Sequence, residues 1–305
     1  MSTELAQIAE STPSLPVRIL SASLSFMKRR PLAAAGIFII ILMCLMAILA
    51  DFVTWYDPID WRLGDKLSPP LTVSDKEPFS TFLMGTDDKG RDIWAQIAVG
   101  AQVSLMVGFL SVAFGSGFGG VLGVVSAWFG GKTDQIIQRV MDALMSIPTL
   151  ILALAVTSVL GQTIENIIIA VGVVQIPRAN RVVRAQALTV KETQYVDAAR
   201  AIGANNIRIM AQHITPQCVA PFLIIATSAL GIAILTEASL SYLGLGVPPP
   251  RPSWGGMLSG AARDYFILAP WMAIWPGLGL SLAVYGFNLF GDGLRDALDP
   301  RLRGT

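Results

Sequence analysis

The chain has little charge and few side chains that bind metals. Only 14% of its 305 residues are charged, whereas an ordinary soluble protein carries about 25%. It has one histidine and two cysteines that lie far apart, so we expect neither a zinc cluster nor a disulfide framework. A net charge of +1 offers no field to attract nucleic acid. These shortages argue against a soluble enzyme, and we expect no catalytic residues, no metal, no cofactor and no nucleic-acid partner.

Apolar residues, in contrast, make up 53% of the sequence and gather in long uncharged runs. Such runs are typical of helical membrane proteins, because a helix needs about 20 apolar residues to cross a bilayer. We predict an all-α polytopic membrane protein with six transmembrane helices. The predicted spans are residues 32–49, 97–128, 143–160, 167–176, 217–236 and 270–290. The fourth is the weakest, since its apolar run stops after ten residues at Pro177.

The distribution of lysine and arginine decides whether this fourth segment crosses. With six spans and a cytoplasmic N-terminus, 15 of these residues lie inside and 7 outside. If the fourth segment did not cross, the count would become 8 inside and 14 outside. Cytoplasmic loops of membrane proteins are enriched in Lys and Arg. The count therefore predicts a multi-pass protein, embedded in the lipid bilayer of a cell membrane, with both termini in the cytoplasm.

This topology divides the chain into five parts. The first apolar run is longer than the core of a usual signal peptide, so we interpret it as an uncleaved anchor. The parts are a cytoplasmic N-terminal segment (1–31), the anchor (32–49), an extracytoplasmic loop (50–96), a transmembrane domain (97–291) with an inner loop at 177–216, and a cytoplasmic tail (292–305).

Two patterns that imitate nucleotide-binding motifs fit membrane helices better. Residues 115–120 read Gly-Ser-Gly-Phe-Gly-Gly, but they lie inside an uncharged span, where small residues permit close helix packing. The stretch Gly131-Lys132-Thr133 lacks the earlier glycine of a phosphate loop, because Ser126 stands at that position. We therefore predict that the chain does not bind ATP by itself. An intramembrane enzyme lacks a nucleophile–base pair here, and a proton-coupled carrier lacks an ionisable residue within the spans.

The inner loop carries the most informative segment, at residues 195–203. Thr189 and Glu192 fit a capping box and predict the start of a short helix. Ala199 and Gly203 are four residues apart, which would place them on one face almost bare of side chains. Two interpretations stay open: the helix contacts another protein through this face, or it lies on the lipid headgroups.

Four segments together make the chain resemble the permeases of ATP-binding-cassette (ABC) importers. They are Asp197-Ala198-Ala199 with Gly203 and residues 213–216, then residues 84–92, residues 239–246 leading to Trp254, and residues 288–300. The last three narrow the resemblance to the dipeptide/oligopeptide/nickel group, and within it to the C-type, or second, permease of a pair. The chain departs mildly from the pattern, with Asp197 in place of the usual glutamate and Thr215 where leucine is common.

The resemblance implies a type I ABC importer permease fold, with 97–291 as its transmembrane domain. It also implies partners: a homologous permease subunit, two ATPase subunits and an extracytoplasmic solute-binding protein. The substrate would be a peptide or a similar small polar solute. The alternative function is a self-sufficient secondary carrier or channel for a polar solute.

The resemblance also assigns residues by position to two sites. The short inner helix would couple to the ATPases through Asp197, Ala198, Ala199, Arg200, Gly203 and Pro216. Docking of the binding protein, or gating, would involve Gly85, Asp87, Arg91, Asp92, Glu237 and Trp254. For residues 85–92 a local interpretation stays open, in which the glycines form turns and Asp92 caps the second span.

Overall fold

A computed structural model describes residues 30–74 and 81–298. Residues 1–29 of the predicted N-terminal segment (1–31), residues 75–80 of the predicted outer loop and residues 299–305 of the predicted tail lie outside the described residues. The described part is mostly helical, with loops between the helices and one short antiparallel pair of strands. The α-helices are α1 (Pro31–Ile48), α2 (Ala50–Val53), α3 (Ile93–Phe129), α4 (Gly131–Ser146), α5 (Thr149–Leu160), α6 (Ile164–Lys191), α7 (Gln194–Ala201), α8 (Asn206–Ile209), α9 (Thr215–Tyr242), α10 (Trp254–Met257), α11 (Ala261–Asp264) and α12 (Trp271–Leu298). The strands are β1 (Thr72–Val73) and β2 (Thr81–Phe82).

Within the described residues, four helical stretches are long and apolar enough to cross a membrane. They are α1, α3, the continuous stretch Asn206–Tyr242 that includes α8 and α9, and α12. The bent pair of α4 and α5 makes a fifth if it counts as one span. The fold is therefore that of a helical membrane protein. Helix α3 is the central helix of the bundle, because 61% of its most apolar 18-residue segment is buried inside the protein, against 22–33% for the same segment of the other three.

The tightest helix pair in the bundle is α3 with α6, and glycines make it possible. A side chain on Gly115 or Gly119 would collide with the backbone carbonyl of Gly172 or Ile176 on α6. Small residues spaced four apart let two membrane helices approach closely. The prediction that the glycines of residues 115–120 serve helix packing is confirmed for these two positions, whereas Gly117 has open space around it.

Two proline residues account for two differences between the predicted spans and the observed helices. Pro148 separates α4 from α5, which meet at 98°, so the predicted third span 143–160 is not one straight helix. The residue before a proline is pushed to extended backbone, and Ile147 is extended here. Pro177, in contrast, lies inside α6, which continues to Lys191. The predicted inner loop 177–216 therefore starts within a helix, since neighbouring helices let a membrane helix tolerate proline.

The loop between α2 and α3 is folded onto the end of the bundle that we predict to be outside, called the outer end below. Tyr56 stacks on the buried Phe82, and the guanidinium of Arg62 lies 4.2 Å from the centre of the Tyr56 ring. The other end of α3 carries Trp128 and is called the inner end. The candidate coupling helix packs there, and the outer motif packs at the outer end.

Candidate functional site

The short helix α7 forms at the inner end, where the sequence predicted an inner helix. It starts after Thr193, not at the predicted capping box, because Thr189 still belongs to the last turns of α6. The Thr189 hydroxyl donates to the Ala185 carbonyl at 3.2 Å instead of capping a new helix. The spacing of Thr189 and Glu192 suggested a helix cap, but in the structure the backbone around Thr189 is already part of the longer helix α6.

One face of α7 is buried against the permease itself. Val196 and Ala199 are almost fully buried in a cluster with Trp128 of α3 and Val190 of α6. This cluster also includes Cys218 at the start of α9. Through Val196 and Ala199, helix α7 therefore shares one apolar cluster with residues of α3, α6 and α9.

The predicted bare face of Ala199 and Gly203 is wrong. Ala199 faces the inner cluster, and the helix has already ended when the chain reaches Gly203, which has a φ of +80°. The amide of Gly203 donates to Arg200 O at 2.9 Å, and the amide of Ala204 donates to Ala199 O at 3.1 Å. These two bonds form a Schellman C-cap, which favours glycine because of its left-handed backbone. The constraint on Gly203 is conformational, since its missing side chain would meet no atom within 4 Å.

The exposed face of α7 presents Asp197, Ala198 and the residues just after the helix. The Ile202 side chain is 86% exposed, an unusual position for an isoleucine. Asp197 accepts a hydrogen bond from Arg200 at 3.1 Å. Pro216 is also exposed, in the first turn of α9. The structure thus leaves Asp197, Ala198, Arg200 and Pro216 accessible, whereas Ala199 is buried.

Two basic side chains, one from α7 and one from the end of α6, contact the inner end of α3. The Arg200 guanidinium lies 4.7 Å from the Trp128 ring centre. The ammonium of Lys191 donates to the carbonyls of Ala127 and Trp128 at 3.0 and 2.8 Å. A cation at these carbonyls satisfies the orphan acceptors at the end of a helix and interacts favourably with its dipole. The Lys191 bonds tie the end of α6, just before α7, to the central helix.

A second polar cluster at the inner end was missed by the sequence analysis. Asp134 of α4 accepts two hydrogen bonds from Arg184 of α6, one of them at 2.7 Å, and also bonds Ser126. Gln138 bridges Ser126 and Asn180 at 3.0 Å each. The available signal was five polar residues on three segments that lie side by side in the fold, but spacing along the chain does not reveal which segments are neighbours. The cluster joins α3, α4 and α6.

The outer motif folds around one buried carboxylate. Asp87 accepts hydrogen bonds from the Lys89 amide at 2.9 Å, the Arg91 side chain at 2.7 Å and Gln96 at 3.1 Å. Gly85 and Gly90 have φ values of +82° and +75°, as predicted for turns. Gly85, Asp87, Arg91 and Asp92 are therefore brought together, and their contacts are internal.

Asp92 caps α3, as the local interpretation predicted. Its side chain accepts from the Ala95 amide at 2.9 Å and is 3% exposed. Burial raises the pKa of this carboxyl to about 6, although the backbone hydrogen bonds and Arg62 oppose the shift. The cap residue therefore carries a cost of desolvation in its charged form.

Glu237 and Trp254 lie together at the outer end, and both are fully buried. The sequence placed Glu237 beyond the end of the fifth span, but α9 continues to Tyr242 and includes it. The Glu237 carboxylate accepts from Ser241 and Ser104, and the Ser104 hydroxyl accepts from the Trp254 amide. Neither side chain is available to an external partner in this conformation.

Long apolar helices around a glycine-packed pair define a helical integral membrane protein, and comparison with known proteins gives its family. Residues 119–304 match the family of binding-protein-dependent transport system inner membrane components. Residues 24–70 match the N-terminal transmembrane domain of oligopeptide transport permease C. The chain belongs to the binding-protein-dependent transport system inner membrane component family, so the resemblance drawn from the four motifs is confirmed.

Relatives of similar length carry the names of transport permeases. A protein of Brucella suis biovar 1 named as a peptide transport system permease is 40% identical over 90% of both chains. The glutathione transport system permease protein GsiD of Pectobacterium atrosepticum is 38% identical, covering 91% of this chain and 89% of its own. The dipeptide transport system permease protein DppC of Alkalihalophilus pseudofirmus is also 38% identical, covering 91% and 88%.

Proposed function

We propose that this chain is a permease subunit of an ATP-driven importer for peptides or similar small polar solutes. The chain and a homologous permease would form the path across the inner membrane. Two ATPase subunits would drive it from the cytoplasm, and a binding protein would deliver the solute from outside. The proposal rests above all on the family match, which covers 119–304 and so includes the whole inner end.

The structure of the inner end supports a mechanical link to the ATPases. Helix α7 presents Asp197 and Ala198 to solvent, with Ile202 just after it, while Val196 and Ala199 on its other face are buried in an apolar cluster that also holds residues of α3, α6 and α9. A short helix held this firmly transmits a push as a rigid-body movement, which is how packed elements change state. We infer that α7 is the contact for an ATPase subunit, through Asp197, Ala198 and Arg200, with Pro216 close to its edge.

The six-span topology with both termini inside belongs to the same proposal. Helix α6 would be the fourth span, although charged residues in its second half keep it from counting as a span by composition. At 28 residues it reaches about 42 Å, enough to cross a hydrocarbon core of about 30 Å and extend beyond it. Its charged half would then project into the cytoplasm, where it meets α7.

The outer motif contributes to the proposal mainly as a scaffold. Since Asp87 and Asp92 are buried, they would shape the surface that meets a binding protein without touching it. The exposed parts of the outer loop, such as Trp55 and Trp61, would provide the contact instead.

Reconstitution of the whole transporter tests this function. The chain would be co-expressed with a homologous permease, two ATPase subunits and a binding protein from the same organism, and placed in proteoliposomes. We expect uptake of labelled dipeptides or other short peptides only when both ATP and the binding protein are present. Vesicles that lack this chain are the control. Uptake by this chain alone, driven by an ion gradient, would favour the carrier alternative and contradict the proposal.

A further inference from the structure

Glu237 is a fully buried carboxyl that no part of the proposed coupling uses. It lies in α9, one turn before Ser241, and is 0% exposed. One carboxylate oxygen accepts from the Ser241 hydroxyl at 2.7 Å, and the other accepts from the Ser104 hydroxyl of α3 at 3.2 Å. A buried acid without a cationic partner is costly unless hydrogen bonds satisfy both oxygens. The two serines satisfy both oxygens here.

The same serines hold the backbone of residues 247–257, called the outer segment. Ser104 Oγ accepts from the Trp254 amide at 3.3 Å, and Ser241 Oγ accepts from the Val247 amide at 3.2 Å. The Ser253 hydroxyl also donates to Ser241 Oγ, at 3.3 Å. A serine has a single proton to donate. Ser104 and Ser241 each donate their proton to Glu237, so their oxygens are free to accept from the backbone amides. The Glu237 carboxylate is therefore the final acceptor in both chains of hydrogen bonds.

The outer segment sits deep within the outer end of the bundle. Trp254 is fully buried, and its ring nitrogen donates to the Ile97 carbonyl at 3.2 Å. A side chain on Gly255 would collide with the backbone of Ala238 on α9. The segment thus fills the space between α3 and α9 and closes the bundle at this level.

We propose that Glu237 is a positioning residue that locks the outer segment in its buried place. Its two oxygens orient Ser104 and Ser241, and these hold the backbone of Trp254 and Val247. Without this acceptor the segment loosens and the outer end becomes accessible. This step goes beyond the proposed function and depends on it only in linking that access to transport.

The chemistry predicts a graded effect of substitution. Glu237→Gln keeps one acceptor oxygen but presents an amide donor to the other serine, so one chain of hydrogen bonds is broken. Glu237→Ala removes both acceptors, and each of the two hydroxyls then needs a new partner. A typical hydrogen bond contributes about 0.5–1.5 kcal/mol, and an unpaired buried group costs more. The segment should therefore loosen in the order wild type, Gln, Ala.

Thiol labelling of the complete transporter in lipid nanodiscs tests this order. The background carries Cys44→Ala and Cys218→Ala, and Met257→Cys reports on the outer segment. We expect Glu237→Ala to raise the rate of maleimide labelling at position 257 about tenfold, with Glu237→Gln in between. Ser104→Ala, which leaves Glu237 in place, should raise it as well. The matched control is Ala187→Cys, a fully buried position at the inner end, which should label equally slowly in every variant.

The readout does not require transport, so it remains valid if the proposed function fails. An unchanged labelling rate at position 257 in Glu237→Ala would overturn the proposal. Faster labelling at both 257 and 187 would also overturn it, because general loosening would then replace a local lock. A Gln variant that labels like wild type would contradict the two-acceptor arrangement.

Discussion

At the residue scale, single side chains matter here mostly through the backbone they hold. Gly203 was expected to leave a contact surface bare, but it ends α7 in a left-handed conformation. For Asp87 and Asp92 a docking role and a local role were both open, and the structure shows the local one: Asp92 caps α3, and Asp87 shapes its own loop. The residue types were informative, whereas their roles depended on where each helix actually ends.

Gly203 allows a test that separates backbone conformation from contact. Asparagine tolerates the left-handed region better than alanine, although it is larger. We therefore expect Gly203→Ala to impair ATP-driven uptake more than Gly203→Asn, when equal amounts of transporter are compared. The cost of a left-handed alanine is about 1–2 kcal/mol. The reverse order, with asparagine worse, would restore the bare-surface interpretation.

Asp92 predicts a particular dependence of stability on pH. Its folded pKa is about 6, above the ordinary value of 3.8. Between these values the folded protein holds a proton that the unfolded chain has lost, so this carboxyl lowers stability as pH rises through the window. Asp92→Asn keeps a good helix cap without that charge. We expect its gain in melting temperature over wild type to be larger at about pH 7 than at about pH 4. A gain that is equal at both values would contradict the raised pKa.

At the scale of elements, the central pair α3 and α6 decides the architecture. The sequence indicated the apolar extent of α3 and the packing role of its glycines correctly. It ended the fourth span before Pro177 because the apolar run stops there, and it missed the bend at Pro148. The two prolines differ only in their tertiary surroundings, which a single sequence does not display. For the same reason the polar cluster of Asp134 and Arg184 was not predicted.

The glycines of α3 that pack against α6, Gly115 and Gly119, are called the glycine seam, and they lead to a prediction about stability. Gly119→Leu places a side chain where the Ile176 carbonyl already lies, and overpacking of this kind costs about 1–3 kcal/mol. Gly117→Leu, two residues away on the same helix, places its Cβ in open space, with no atom within 4 Å among the described residues. In thermal unfolding of the purified subunit, we expect the first variant to melt at a lower temperature and the second to resemble wild type. Equal melting temperatures would show that the seam is not tightly packed.

At the scale of the whole molecule, the topology follows from the asymmetry of basic residues. A reporter active only in the cytoplasm should be active when fused after Gly304, and a reporter inserted at Ser74 should behave as external. The physical reason is the excess of Lys and Arg on the predicted inner side, 15 against 7. An external C-terminus would defeat the six-span arrangement.

In the proposed transporter, ATP is bound and hydrolysed by the separate ATPase subunits and not by this chain. The segment 126–133 lacks the glycine of a phosphate loop and forms the end of α3 and the start of α4, with no strand before it. We expect the purified subunit neither to bind nor to hydrolyse ATP. Calorimetric titration of the subunit alone measures this, and nucleotide binding at micromolar affinity would contradict it.

The central claim is that α7 transmits the movement of an ATPase subunit to the transmembrane helices. A comparison of two tryptophan substitutions tests it most directly. Ala198→Trp enlarges an exposed residue of α7, and the matched control Ala185→Trp enlarges an exposed residue of α6. ATP-driven uptake and co-purification of the ATPases would be measured together, in membranes that hold equal amounts of each variant. We predict that Ala198→Trp loses uptake, with the ATPases lost or no longer stimulated, and that Ala185→Trp keeps both. Normal uptake by Ala198→Trp with its ATPases bound would contradict the account.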